Sequence, residues 1–132
     1  MILLDTHVLA WAVEETASLR GSVAAAIRAH EGRKEVLVSA VSFWEVGVLA
    51  AKDRLQISNP PLELRALLLD SGMVELPLAG DVAILAAGFG LHGDPADRFI
   101  AATAISHEAT LVTADERLLT WKHAVKRQDA RR

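Results

Sequence analysis

The amino-acid sequence predicts an α/β fold, with a mostly parallel sheet sandwiched between helices. Three observations carry the prediction: apolar runs of strand length, helical stripes between them, and breakers at the joints. Ile2-Leu3-Leu4 stops at Asp5 and suits a buried strand. Val8 to Val13 follows, then Ser18 to His30, where Leu19, Val23, Ala26, Ile27 and His30 recur at three and four, the stripe of an amphipathic helix. A polar turn, Glu31-Gly32-Arg33-Lys34, leads into a second buried strand, Val36-Leu37-Val38, that ends at Ser39, and a helix is expected from about Val41 to Ala51. Asn59-Pro60-Pro61 is a breaker with a proline placed for a first helical turn, and Leu62, Leu64, Leu67 and Leu68 form the stripe up to Ser71-Gly72. Met73 to Leu76 reads as a short third strand and Asp81 to Leu91 as helix. His92-Gly93-Asp94-Pro95 is a turn that opens another helix through His107. Thr110-Leu111-Val112-Thr113 is the next strand, a short helix follows to about Trp121, and Ala124-Val125-Lys126 reads as an edge strand.

The chain of 132 residues, 52% hydrophobic, is one domain's length with ample material for a core, so residues 1–126 are expected to form one unit. The absence of cysteine excludes a disulfide framework, a thiolate metal site and a Cys nucleophile, and fits a reducing cytoplasm. No apolar run reaches the roughly 18 residues of a membrane span, and no secretory signal is visible. From Lys122 onward five basic residues face one acid, a local charge of +4 that leaves Met1–Trp121 at −7. Residues 127–132 are expected to be a short, frayed basic tail.

In parallel sheets ligands bind outside the carboxyl ends of the strands, so the residues just beyond each strand are the ones to examine. Asp5 follows the first strand, Glu45 lies in the early turns of the helix after the second, and Asp115 lies just past Thr113. Asp97 opens a helix that runs back from the same edge. Each acid also has a plain structural reading. Ser42 to Glu45 matches a capping box, Asp94, Pro95 and Asp97 match a helix start, Asp115 suits a cap, and Asp5 suits a turn. Taken together, several carboxylates at one cleft repel one another unless a cation neutralises them, and hard Mg²⁺ or Mn²⁺ prefers oxygen ligands. Such an ion, with open water positions, suits phosphodiester hydrolysis, and the spacing admits one ion or two. Thr6, Ser39 and Thr113 place hydroxyls close in sequence to these acids, where they are expected either to orient an acid or a water, or to satisfy backbone.

The segments Leu3-Leu4-Asp5-Thr6-His7-Val8-Leu9-Ala10-Trp11, Val38-Ser39-Ala40-Val41-Ser42-Phe43-Trp44-Glu45, His92-Gly93-Asp94-Pro95-Ala96-Asp97-Arg98 and Leu111-Val112-Thr113-Ala114-Asp115 stand in the order seen in one family. The chain resembles the PIN-domain nucleases, specifically the VapC-type toxins of toxin–antitoxin pairs, over nearly its whole length. That resemblance implies a metal-dependent ribonuclease on a three-layer α/β/α sandwich, with Asp5, Glu45, Asp97 and Asp115 as the acidic site. Asp5 and Asp97 would be the principal metal ligands, and Glu45 and Asp115 second-site or water-mediated ones; Asp94 is left as a helix cap. The resemblance also implies Mg²⁺, with Mn²⁺ as substitute, an RNA substrate, a small cognate antitoxin and a homodimer. Trp11, Phe43, Trp44 and Val48 are candidates for an antitoxin groove or for the core.

Other groups point elsewhere or nowhere. The five histidines lack HExxH spacing, and Gly88, Gly90 and Gly93 form no phosphate loop. Arg98 suits a phosphate or an ion pair, and Lys52 and Arg54 suit a helix end. Two rival readings stand beside the nuclease. One is a phosphatase with Asp5 as nucleophile, disfavoured because His7 occupies the place of its second acid. The other is a catalytically silent module that binds an antitoxin or RNA.

Overall fold

The computed structural model describes residues 1–14, 21–30, 33–55, 57–91 and 93–132. Five strands, β1 (Ile2–Leu4), β2 (Val36–Ser39), β3 (Val74–Leu76), β4 (Thr110–Thr113) and β5 (Arg127–Asp129), form one sheet in the order β3-β2-β1-β4-β5. Every neighbouring pair is parallel. Two helices connect each of the first three strands to the next: α1 (Thr6–Glu14) and α2 (Gly21–His30), α3 (Ala40–Ala51) and α4 (Pro61–Asp70), α5 (Gly80–Ala87) and α6 (Pro95–Ser106). The short α7 (Glu116–Thr120) links β4 to β5. The expected start of the second helix at Ser18 and Leu19, the side chains of Val23 and Ala26, and the Glu31-Gly32 half of the turn lie outside the described residues.

The central strands β1, β2 and β4 are buried on both faces, the edge strands β3 and β5 only partly, and strand alternation divides the side chains between two cores. Ile2, Leu4, Val36, Val38 and Val112 meet Val8, Leu9, Val46, Leu64 and Leu68 on one side. Leu3, Leu37 and Leu111 meet Ile100, Ala101, Ala104 and Leu118 on the other. Val82 and Ala86 of α5 pack on Ala102 of α6, so α5 lies outside that layer. The result is an α/β/α sandwich. Winding leaves β1 first toward β2 and β3, then returns to place β4 on its other side. The carboxyl ends of β1 and β4 therefore bracket the switch point where such sheets open a crevice.

One expectation is corrected. Residues 127–132 are not a frayed tail, and the edge strand lies three residues beyond Ala124-Val125-Lys126. Leu111, Val112 and Thr113 pair with Arg127, Gln128 and Asp129, and Ala130 is fully buried. Two of this segment's arginines find partners there: Arg127 donates to the carbonyls of Leu118 and His123 at 2.7 and 2.9 Å, and Arg131 pairs with Asp129 and Glu116. Among the described residues no helix is long and apolar enough to cross a membrane.

Candidate functional site

Asp5 sits where β1 becomes α1. Its N–H donates to Val112 O at 3.0 Å, which extends the β1–β4 ladder by a residue, and its C=O accepts from Leu9 N at 2.9 Å. The side chain is buried and held from both sides. Oδ1 accepts from the Thr6 N–H at 2.8 Å, and Oδ2 accepts from Thr113 Oγ1 at 2.7 Å. Burial pushes the carboxyl above its ordinary range, while the Thr113 and Thr6 bonds and the nearby His7 pull it down.

Glu45 belongs to α3, and here the expected capping box does not form. The helix begins at Ala40, with Ser39 Oγ accepting from Val41 N at 3.1 Å, so Ser42 and Glu45 fall inside the helix. Glu45 is only 7% exposed, whereas its neighbour Trp44 is 61% exposed, an inversion of the usual apolar-in, charged-out order. Thr6 Oγ1 donates to Glu45 Oε1 at 2.5 Å and lies 3.1 Å from Ser42 Oγ. Burial above all drives the Glu45 pKa up to about 8, against the Thr6 bond and with the help of Asp94 and Asp5. Asp94, across the cleft, disfavours the ionised form of Glu45.

Asp94 is the N-cap of α6, with Oδ1 accepting from Ala96 N at 3.0 Å, and Pro95 fills the first helical position. Asp97, a turn along, points into the same space. Burial raises its pKa to about 7, and Asp5, Asp115 and Asp94 add repulsion that Arg117 partly offsets. Asp115 caps α7 through Oδ1, which accepts from Arg117 N at 2.8 Å, and its own N–H donates to Thr113 Oγ1 at 3.0 Å. The single hydroxyl of Thr113 thus ties Asp115 to Asp5.

A cleft of about 270 Å³ is lined by Asp5, Glu45, Asp94, Asp97 and Asp115, together with His7, Trp11 and Arg117. The structure therefore brings all four expected acids together. Of the three hydroxyl residues, Thr6 and Thr113 hold the acids, whereas Ser39 caps α3 and meets its backbone reading. Three members escaped the sequence reading. In the sequence Asp94 reads as a cap alone, although a cap and the residue three positions on share a side of the helix start. Ser42 carried only the capping-box signal. Arg117, two residues after Asp115, rather than Arg98, is the arginine lining the cleft. His92 of the matching segment lies outside the described residues.

The donor set is all carboxylate oxygen and would suit a hard divalent cation. Among the described residues no three acidic or histidine side chains converge tightly enough to grip one ion.

The fold and the acid cleft at its switch point are matched by known proteins. The PIN-domain family model matches residues 2–123, and the chain belongs to that family. Ribonuclease VapC22 of Mycobacterium tuberculosis is 37% identical to it over 123 residues, 92% of each chain. Among solved structures, VapBC2 of Rickettsia felis bound to a promoter DNA fragment superposes with a TM-score of 0.71 at 17% identity, covering 97% of this chain and 98% of that one. FitAcB of Neisseria gonorrhoeae does so with a TM-score of 0.62 at 23% identity, covering 98% of each. These two likenesses speak to the fold.

Proposed function

We propose that the chain is an endoribonuclease toxin of the VapC type, dependent on Mg²⁺ or Mn²⁺ and neutralised by a small cognate antitoxin. The observation that carries this reading is the cleft: five carboxylates at the β1/β4 switch point, with burial pushing Asp5, Glu45 and Asp97 toward protonation in the absence of an added cation. The named relative supports it, being a ribonuclease over the same span. Asp5 and Asp97 are the principal candidates to hold the ion, with Glu45 and Asp115 acting through water or at a second position. When bound, the ion would supply an activated water and charge stabilisation at a phosphodiester. The chain's own residues prepare the site for that chemistry. Thr113 and the Thr6 N–H fix both oxygens of Asp5, and Thr6 Oγ1 aims Glu45 at the same space. Glu45, with a pKa near the working pH, is suited to take or return a proton.

Two of the solved neighbours are toxin–antitoxin assemblies from Klebsiella pneumoniae and Mycobacterium tuberculosis, which supports a protein partner here too. Of the four apolar candidates for its groove, Trp44 is the exposed one; Trp11 and Phe43 pack against the core, and Val48 is half-buried. A homodimer and a cytoplasmic location complete the reading. The deciding experiment is a map of new RNA 5′ ends after brief induction without antitoxin, wild type against Asp5→Asn. Cleavage at defined sites in wild type alone is expected; identical maps from two folded proteins would sink the reading and favour a silent binding module.

A further inference from the structure

Two arginines in this molecule face carboxylates in different ways. Arg65 meets Glu75 as a fork, Nε at 2.9 Å and Nη2 at 2.8 Å, one bond to each oxygen. Arg117 instead bridges two acids, with Nη2 3.3 Å from both Asp97 Oδ2 and Asp115 Oδ2 and Nε 3.5 Å from Asp115 Oδ1. These contacts are longer than the roughly 2.7–2.9 Å usual for charge-assisted bonds, and the side chain is 55% exposed. Its root is firm, because its backbone N–H donates to the Asp115 cap at 2.8 Å.

Gly93, at φ +110°, lies against the guanidinium, and a Cβ there would come within 2.0 Å of Nη1. A side chain at 93 would have to shift this flexible tip, and the backbone there, at positive φ, favours glycine in any case. The guanidinium stands in the cleft as a cation opposite Asp97 and Asp115, the place a divalent ion would contest.

We propose that Arg117 is the internal counter-cation of the metal-free cleft and becomes its ligand for the RNA phosphate once a divalent ion has taken over Asp97 and Asp115. The inference rests on the metal-dependent ribonuclease reading above. The same guanidinium serves both states because its planar donors match two carboxylates and a phosphate equally well. Substrate contact is thereby tied to metal loading: without the ion, the arginine is engaged and the cleft repels a phosphodiester.

The test measures two affinities on the purified full chain, neither of them activity. Mn²⁺ binding is followed by calorimetry without RNA, and binding of a mixed-sequence 2′-O-methyl RNA oligonucleotide by fluorescence anisotropy in Mn²⁺. Arg117→Gln is expected to tighten Mn²⁺ by about 3-fold or more, since a competing cation is gone, and to weaken the oligonucleotide by about 10-fold. Arg117→Lys keeps the charge but loses the fork, so Mn²⁺ affinity stays close to wild type while RNA binding falls. Unchanged or weaker Mn²⁺ binding in a folded Arg117→Gln, or unchanged RNA binding in Mn²⁺, overturns the inference and leaves the nuclease reading standing. A wild-type protein that binds no Mn²⁺ overturns the metal reading itself, and the inference with it.

Discussion

The molecule carries two clusters of charge, and they are built on opposite plans. The C-terminal clasp brings Arg131 and Arg132 to Asp129, and Arg131 to Glu116, on an open surface where cations and anions match. Arg131 holds the Asp129 carboxyl down at about 2. The cleft crowds five acids around Arg117 and His7 under partial burial, and two of those acids rise to about 7 and about 8. A cluster that balances its own charge has finished its electrostatic work on folding. One that leaves an excess is built for something that arrives later.

The sharpest way to break this comparison is to remove one charge from each cluster. Asp5→Asn and Asp97→Asn are expected to lower RNA cleavage by about 10³-fold or more, while circular dichroism reports an intact fold. Asp129→Asn should leave cleavage unchanged in the same gel assay. Equal losses from both clusters would erase the distinction.

The second test is pH, where the two regions should pull stability in opposite directions. For Glu45 and Asp97 the native state binds more protons than the unfolded chain between roughly pH 4 and their raised values of about 8 and about 7, so their contribution to stability falls as pH rises through that window. For Asp129 the native state binds fewer, so its contribution is present above about pH 4 and is lost as pH falls toward 2. Thermal melts in EDTA should therefore show a Tm that declines from pH 5 to pH 8.5. Asp97→Asn should flatten that decline, and added Mn²⁺ should recover Tm mainly at the alkaline end. A metal-free Tm that climbs across that range would contradict the assignment of raised acids.

Smaller effects separate support from chemistry. Thr113→Val leaves Asp5 Oδ2 and the Asp115 N–H without their buried partner and should cost about 1–3 kcal/mol in chemical denaturation, with a clear loss of cleavage. Smallest of all, Arg131→Ala should lower Tm slightly and spare cleavage, because exposed ion pairs contribute little.

Much of this was legible in the residues themselves. Strands β1, β2 and β4 announced themselves as uninterrupted apolar runs because a parallel sheet covered on both faces needs no alternation. The four acids were legible because each follows a strand or lies in the first turns of a helix, and chain direction sends those positions to one edge. What failed was local. The Ser42–Glu45 spacing promised a cap that Ser39 supplies three residues earlier, and a basic C-terminus that looked solvated proved to be strand β5. Edge pairing depends on a neighbour, β4, that no short window of sequence contains.

By itself the sequence determined the layer architecture, the edge of the sheet that carries function and the acids it would gather, since these follow from periodicity and chain direction. Only the tertiary structure decided that Asp94 joins the acids as well as capping a helix, that Thr113 ties Asp5 to Asp115, and that Arg117 rather than Arg98 reaches them. Those contacts join residues far apart in the chain, such as Asp5 and Thr113. Their reality rests on distances of a few ångströms and on burial that raises the cost of an unpaired charge, and neither quantity exists until the chain has folded.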